Sequence, residues 1–258
     1  EIMPSLVGSE MCIRDSPNSL LRNDRGRLSD VTRASGLLSF HPTQTAAWGD
    51  YDNDGFVDLY IGNESNDWER HPCELFHNDG GRTFSERAAA AGVDNVGYVK
   101  GVVWGDYDND GEFDFMMAHS DRTVMLWRNT AVEDGSGGWL KVRLHGVENG
   151  SNSHGIGCLV KVYLEDETIL MQQAYVGDGF LGSSDPAIFF GLGEQSIDRI
   201  EVTWSTGHIQ TIEDVQINSV LDVEEDLPPP VIDFSAYILG IMGMGIILLL
   251  WPLLQRNS

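Results

Sequence analysis

One phrase of eleven residues constrains this chain more than anything else in it. Trp48-Gly49-Asp50-Tyr51-Asp52-Asn53-Asp54-Gly55 recurs letter for letter from Trp104 to Gly111, 56 residues on. Both copies then run on to an aspartate, Asp58 and Asp114. Identity of this length at a fixed offset marks a repeat architecture, one supersecondary unit built more than once. Whatever the fold is, it must place two equivalent, strongly acidic loops.

Within each phrase the acids fall at alternate positions. Asp50, Asp52, Asp54 and Asp58 stand at loop positions 1, 3, 5 and 9, with Gly55 at position 6, where the chain must turn sharply. Asp106, Asp108, Asp110 and Asp114 repeat the set around Gly111. Ca²⁺ takes six to eight hard oxygen ligands, so alternate carboxylates plus a backbone carbonyl suit it. Phe56 and Glu112 would supply the position-7 carbonyls. An EF-hand needs a bidentate acid at position 12, where this chain has Ile61 and Met117. The flanks also read as strands: Ala46-Ala47-Trp48 and Val102-Val103-Trp104 lead in, and Val57, Leu59 and Ile61 alternate on the way out. The plainer reading is an Asp/Asn/Gly-rich hairpin turn without metal. Four acids within nine residues repel one another without a cation, and the pattern occurs twice, so two calcium sites are expected.

The charge balance excludes one class of partner. Forty Asp plus Glu against 16 Lys plus Arg give a net charge of −24, whereas a nucleic-acid-binding surface needs a basic footprint. Hydrophobic residues make up 41% of the chain, enough for a packed core over one or two domains. Residues 1–17 do not resemble designed protein sequence: the run from Pro4 to Ser16 is similar to a translated adapter scar and is set aside. On that reading the natural N-terminus and any signal peptide lie upstream of Asn18.

The repeat extends beyond the loops. Arg22-Asn23-Asp24 with Gly26, Leu28-Ser29-Asp30 and Gly36-Leu37 is echoed by His77-Asn78-Asp79 with Gly80, Phe84-Ser85-Glu86 and Gly92-Val93. Leu126-Trp127-Arg128-Asn129 is a third, partial echo. Each unit reads as strand, acidic loop, strand, strand ending in Asn, turn and short strand, an all-β pattern whose four strands make the blade of a β-propeller. These units resemble FG-GAP/VCBS-type repeats, the calcium-loop blades also found in integrin α-chains. The resemblance implies that the loop joins the first two strands of a blade. It also implies that Asp50, Asp52, Asp54, Asp58, Asp106, Asp108, Asp110 and Asp114 are the ligands. Two calcium-bearing blades and the tail of another fall within 18–132, so the chain reads as a fragment of a larger ring.

Glu133-Asp134-Gly135-Ser136-Gly137-Gly138 reads as a flexible boundary. Beyond it Leu140, Val142 and Leu144 alternate with polar residues, as do Val160, Val162 and Leu164, then Ile200, Val202 and Trp204, then Leu221 and Val223, each a half-buried strand. Residues 139–225 resemble the ASPIC/UnbV domain through Trp139 to Leu144, Gly155-Ile156-Gly157, Gly179-Phe180, Phe190-Gly191-Leu192-Gly193, Val202-Thr203-Trp204, Gly207 and Gln210. His154 and Cys158 depart from that pattern. The resemblance implies a small β-sandwich or barrel-like domain and no particular reaction.

Other constellations carry less. Gly177 to Gly182 spells GxGxxG, but a dinucleotide site needs a helix next, and Ala187 to Phe190 reads as a strand. His71, Cys73 and His77 fall short of the four ligands of a structural zinc site. Ser183 and Ser184 near Asp185 lack a nucleophile elbow. Cys12, Cys73 and Cys158 are too few and too irregular for a disulfide framework. No catalytic residues and no organic cofactor are expected.

After an acidic, Pro-rich linker at 226–233, residues 234–254 contain no charge, and 21 apolar residues can cross a bilayer as a helix. Arg256, the only Lys or Arg after position 199, places the tail at 255–258 in the cytoplasm by the positive-inside rule. The expected protein is therefore an all-β, calcium-binding, membrane-anchored cell-surface module. It has a partial propeller, a sandwich-like domain and a C-terminal transmembrane helix, and it binds an extracellular protein or carbohydrate. An exported enzyme or enzyme accessory with its catalytic residues in upstream blades is one alternative. A structural surface-layer component is the other.

Overall fold

The computed structural model describes residues 17–65, 69–131, 137–177, 182–183 and 185–227. The suspected scar through Ser16, most of the acidic linker and the apolar run at 234–254 lie outside these residues. Among the described residues no helix is long and apolar enough to cross a membrane. The described residues up to Glu225 form one compact unit, and a second unit begins at Asp226. Of the second unit only Asp226 and Leu227 are described.

Among its described residues the first unit is all-β apart from one helical turn. A hairpin of β1 (Leu21–Asp24) and β2 (Arg27–Asp30) comes first. An antiparallel sheet of β3 (Thr43–Gly49), β4 (Asp58–Asn63), β5 (Glu74–Asn78) and β6 (Phe84–Glu86) follows in that order. Helix α1 (Ala88–Ala91) follows β6 and ends at Gly92, whose φ of 71° gives a left-handed cap. The second repeat forms β7 (Val99–Gly105), β8 (Asp114–His119) and β9 (Met125–Trp127), a sheet of three strands among the described residues.

The register explains why the phrase repeats. Gly49 pairs with Asp58 and Trp48 with Leu59; Gly105 pairs with Asp114 and Trp104 with Phe115. Each acidic loop therefore closes a hairpin, with its position-9 aspartate already in the outgoing strand. Successive side chains of a strand point to opposite faces. In β4, Leu59 and Ile61 join Leu20, Leu37, Phe76 and Phe84 on one side, while Tyr60 joins Val99, Val102, Trp104, Phe115 and Met117 on the other. Every residue of β4 is buried. The first-repeat sheet is thus a middle layer, and Tyr60, which stands between the alternating Leu59 and Ile61, is buried as fully as they are.

The C-terminal part holds two sheets. One is β13 (Ile188–Gly193), β10 (Gly138–His145) and β16 (Ser219–Glu224), with β10 antiparallel to β13 and parallel to β16. The other is antiparallel: β12 (Ile169–Gln173), β11 (Leu159–Leu164), β14 (Ile197–Thr203) and β15 (Ile209–Glu213). Leu140, Val142 and Leu144 from the first sheet meet Val160, Val162, Ile200 and Val202 from the second in a single core. This is a face-to-face packing of two sheets. Buried Glu225 fastens the end of the last strand, accepting hydrogen bonds from the Ser151 amide (2.6 Å), the Ser151 hydroxyl (3.1 Å) and the Thr206 hydroxyl (2.9 Å). Burial alone would raise its pKa; these donors reverse that and hold it below the usual carboxylate range.

The repeats and the sandwich belong to one compact unit, and contacts between them lie at the loops.

Candidate metal centre

The two loops have one backbone. Asn53 and Gly55 have φ of 58° and 91°, and Asn109 and Gly111 have 60° and 90°. Asn tolerates the left-handed region and Gly enters it freely, so this Asn-x-Gly spacing lets the chain coil tightly enough to turn alternate side chains inward. The position-1 and position-9 carboxylates tie the loop down. Asp50 accepts the amides of Asp54 (3.2 Å) and Gly55 (2.9 Å), and Asp106 accepts that of Asp110 (3.1 Å). Asp58 accepts the amides of Tyr51 (3.1 Å) and Asn78 (2.7 Å), and Asp114 those of Tyr107 (3.0 Å) and Asn129 (2.8 Å). Asn78, which ends β5, and Asn129, two residues past the end of β9, are therefore part of the site.

Ligand atoms converge in both copies. Asp50, Asp52 and Asp58 each bring an oxygen within 4.8 Å of the others, and so do Asp106, Asp108 and Asp114. Asp54 groups with Asp52 and His77 instead. Asp110 has one oxygen on the Glu112 amide (3.0 Å) and the other on Arg128 (3.0 Å). At position 7 the Phe56 amide is held by Asp54 (2.8 Å), as that of Glu112 is by Asp110. The Phe56 ring is exposed and the Glu112 side chain is buried.

Electrostatics makes these loops costly to leave without a cation. Burial, reinforced by neighbouring carboxylates, pushes Asp50 up to about 8 and Asp58 up to about 9. Burial also raises Asp52, Asp54, Asp106 and Asp114. Asp52 Oδ1 and Asp106 Oδ2 are buried and accept no hydrogen bond, which costs free energy; at Asp106 the Lys141 ammonium, 4.0 Å away, offsets part of it. An all-oxygen set of this kind, with buried oxygens unsatisfied by protein donors, fits a hard divalent ion.

The copies differ in what stands over them. His77 Nδ1 lies 3.2 Å from Asp52 and 3.4 Å from Asp58. At the equivalent place in the second unit, Arg128 bonds Asp108 through Nε (2.9 Å) and Asp110 through Nη2 (3.0 Å). The alignment of His77-Asn78 with Arg128-Asn129 was visible in the sequence, although their roles were not. Lys141, at a polar position of the alternating strand β10, is buried, with Nζ 3.3 Å from Asp185 and 4.0 Å from Asp106 Oδ2. The loops also hold each other: Asn53 Nδ2 donates to Gly111 O (3.0 Å) and Asn129 Nδ2 to Tyr51 O (2.6 Å).

The weaker constellations do not assemble among the described residues. His71 contacts His41 (3.1 Å), Cys73 is buried in the core between the repeat sheets, and His77 faces the first loop. Residues 178–181 of the Gly-rich stretch lie outside the described residues, and the next element is strand β13. Among the described residues no helix follows the stretch.

Residues 148–228 match the family model described as ASPIC and UnbV. The match covers β11 to β16 but begins after β10, so the sandwich includes a central strand that the match does not reach. Cartilage acidic protein 1 from Mus musculus is 24% identical over 188 residues, 70% of this chain and 29% of that protein. The Homo sapiens protein of the same name is 24% identical over 188 residues, covering 70% and 28%. The Xenopus tropicalis protein is 29% identical over 121 residues, covering 46% and 18%. The chain spans less than a third of the length of these relatives.

Proposed function

We propose that this chain is part of an exported binding or adhesion protein whose two acidic loops each hold a structural Ca²⁺. One observation carries the reading. The same loop is built twice, and each copy turns three carboxylates toward one point while leaving a buried oxygen without a protein donor. The ligands are Asp50, Asp52, Asp54 and Asp58 with the Phe56 carbonyl, and Asp106, Asp108, Asp110 and Asp114 with the Glu112 carbonyl. The stacked sheets serve as FG-GAP/VCBS-like blades of a propeller, and the sandwich packs beside them. The acid balance, which the relatives' printed name shares, fits an outside location and an extracellular protein or carbohydrate ligand, and it disfavours nucleic acid.

Calcium in such loops holds a hairpin closed. Its affinity belongs to the extracellular range, Kd of about 10⁻⁴ to 10⁻³ M. At ten times Kd each ion adds about 1.4 kcal/mol of stability. Asp52→Ala together with Asp108→Ala should lower the melting temperature in calcium and abolish its dependence on calcium. A melting curve that is the same with calcium and with chelator in the unmutated chain would sink this reading.

Residues 234–254 serve as the membrane anchor in this proposal, with the tail at 255–258 inside the cell. Cells expressing the chain behind a signal peptide should retain it in the membrane fraction and release it to the medium once 234–254 are deleted. Equal release of both forms would remove the anchor from the account.

A further inference from the structure

The FGLG stretch of strand β13 has no role in the calcium reading, and its glycines have a use that the sandwich itself does not explain. The Gly193 amide donates to the Asn53 carbonyl at the tip of the first loop (2.8 Å). At Gly191 a Cβ would overlap Asp50 Oδ2 and lie 2.6 Å from Asn53 Cα. Across the same contact, a Cβ on Gly55 would meet the Gly191 carbonyl at 3.4 Å. The second loop docks through aromatic rings: the Trp139 indole lies where a Cβ on Gly111 would be, Trp139 stacks on Phe189 (5.9 Å, 8°), and Phe189 packs on Phe113 (4.4 Å). Lys141 from β10 reaches toward Asp106 beside them. Sandwich residues thus touch Asp50 and Asp106, the first ligand of each loop, and the backbone of Asn53.

We propose that the β10–β13 edge of the sandwich is a docking surface for the cation-filled form of the two loops, so that calcium fastens the sandwich to the repeats. The proposal rests on the calcium reading above. Filling a loop fixes Asp50 and the Asn53 carbonyl where Gly191 and Gly193 fit them. Emptying it removes the ion that draws Asp50, Asp52 and Asp58 toward one point, and frees the loop backbone against which β13 lies. Gly191 has no side chain because the carboxylate comes that close, and any residue larger than Gly would act as a wedge. β13 is an edge strand of its sheet, so the Gly193 amide finds its partner in the loop and loses it when the sandwich lifts away.

Hydrogen–deuterium exchange on the whole chain, in millimolar calcium and in excess chelator, tests this, with calorimetry measuring calcium binding on the same samples. Chelation should speed exchange at Gly193 and around Asn53 by tenfold or more, while β14, in the middle of its own sheet, stays protected. Coupling between sites is reciprocal. Weakening the dock with Gly191→Val, or with the milder Phe189→Leu should the valine variant not fold, should therefore lower calcium affinity about fivefold or more. If calorimetry finds calcium bound but exchange at Gly193 is the same in both states, the docking proposal is overturned and the calcium reading stands. Unchanged calcium affinity in a folded dock variant overturns it in the same way. If no calcium binds at all, both fall together.

Discussion

Without calcium, the chain should lose thermal stability as the pH rises from about 5 to about 9, and calcium should remove that loss. The sign follows from the loop carboxylates. Asp50 titrates at about 8 and Asp58 at about 9 in the folded, metal-free chain, against an ordinary value of 3.8. Burial is the main cause in both, with the Asp54 carboxylate adding to it at Asp50 and that of Asp52 at Asp58. Between the two values the folded state binds protons that the unfolded state has released, so stability falls as pH rises through that window. Their contribution is fully present below the unfolded value and is lost once the folded carboxyls ionise. Calcium needs the same carboxylates charged, so binding expels the protons they hold. Titration calorimetry in buffers of different ionisation heat should show proton release at pH 7 that fades toward pH 10. Binding heats that do not change with buffer at pH 7 would show that these carboxylates are already ionised without metal.

Much of this site is legible in the sequence, because local chemistry builds it. A repeated Asp-x-Asp-Asn-Asp-Gly fixes its own backbone through Asn53 and Gly55, and the second copy takes nearly the same dihedral angles at Asn109 and Gly111. Alternation located the sandwich strands, since period-two burial is a local signal. It reports that a face is buried, though, and not what buries it. Lys141 sits at a polar position of an alternating strand, and nothing near it in sequence tells that Asp106 and Asp185 will meet it. Gly191 and Gly193 belonged to a family landmark, and their reason for being glycine lies some 140 residues upstream at Asp50 and Asn53. The Gly and Ser content before Trp139 reports local chain freedom and carries no information about aromatic contacts such as Phe113 on Phe189. The turn α1 was hidden for a related reason: Ala88 to Ala91 gains its packing only from Ala88 against the repeat core.

Replacing Trp104 with Ala should be among the most damaging single changes in the repeats, costing about 3–5 kcal/mol, and far more than the same change at Trp48. The two tryptophans open the same octet, so sequence alone gives them equal weight. Their surroundings are not equal. Trp104 is 4% exposed, within 5.3 Å of Phe115 and 6.1 Å of Phe113 by ring centroids, and edge-on to Tyr60. It also presses on the neighbouring sheet at Gly49, where a Cβ would lie 2.9 Å from its ring. Trp48 is half-buried and meets Phe84 edge-on at 6.2 Å. Removing Trp104 empties the layer between the two repeat sheets, where side chains from both faces leave little room to collapse, and the cavity adds to the lost burial. Removing Trp48 forfeits part of one face only. Urea unfolding should move the midpoint much further for Trp104→Ala than for Trp48→Ala, with Trp104→Phe falling between. The damage should also reach the second loop, because Trp104 stands two residues before Asp106 and packs on Phe113, which carries the contact to Phe189. Calcium binding at that loop should weaken in Trp104→Ala and persist in Trp48→Ala. Equal midpoints for the two alanine variants would mean that the stacking of the repeat sheets on Trp104 contributes little to holding the loops.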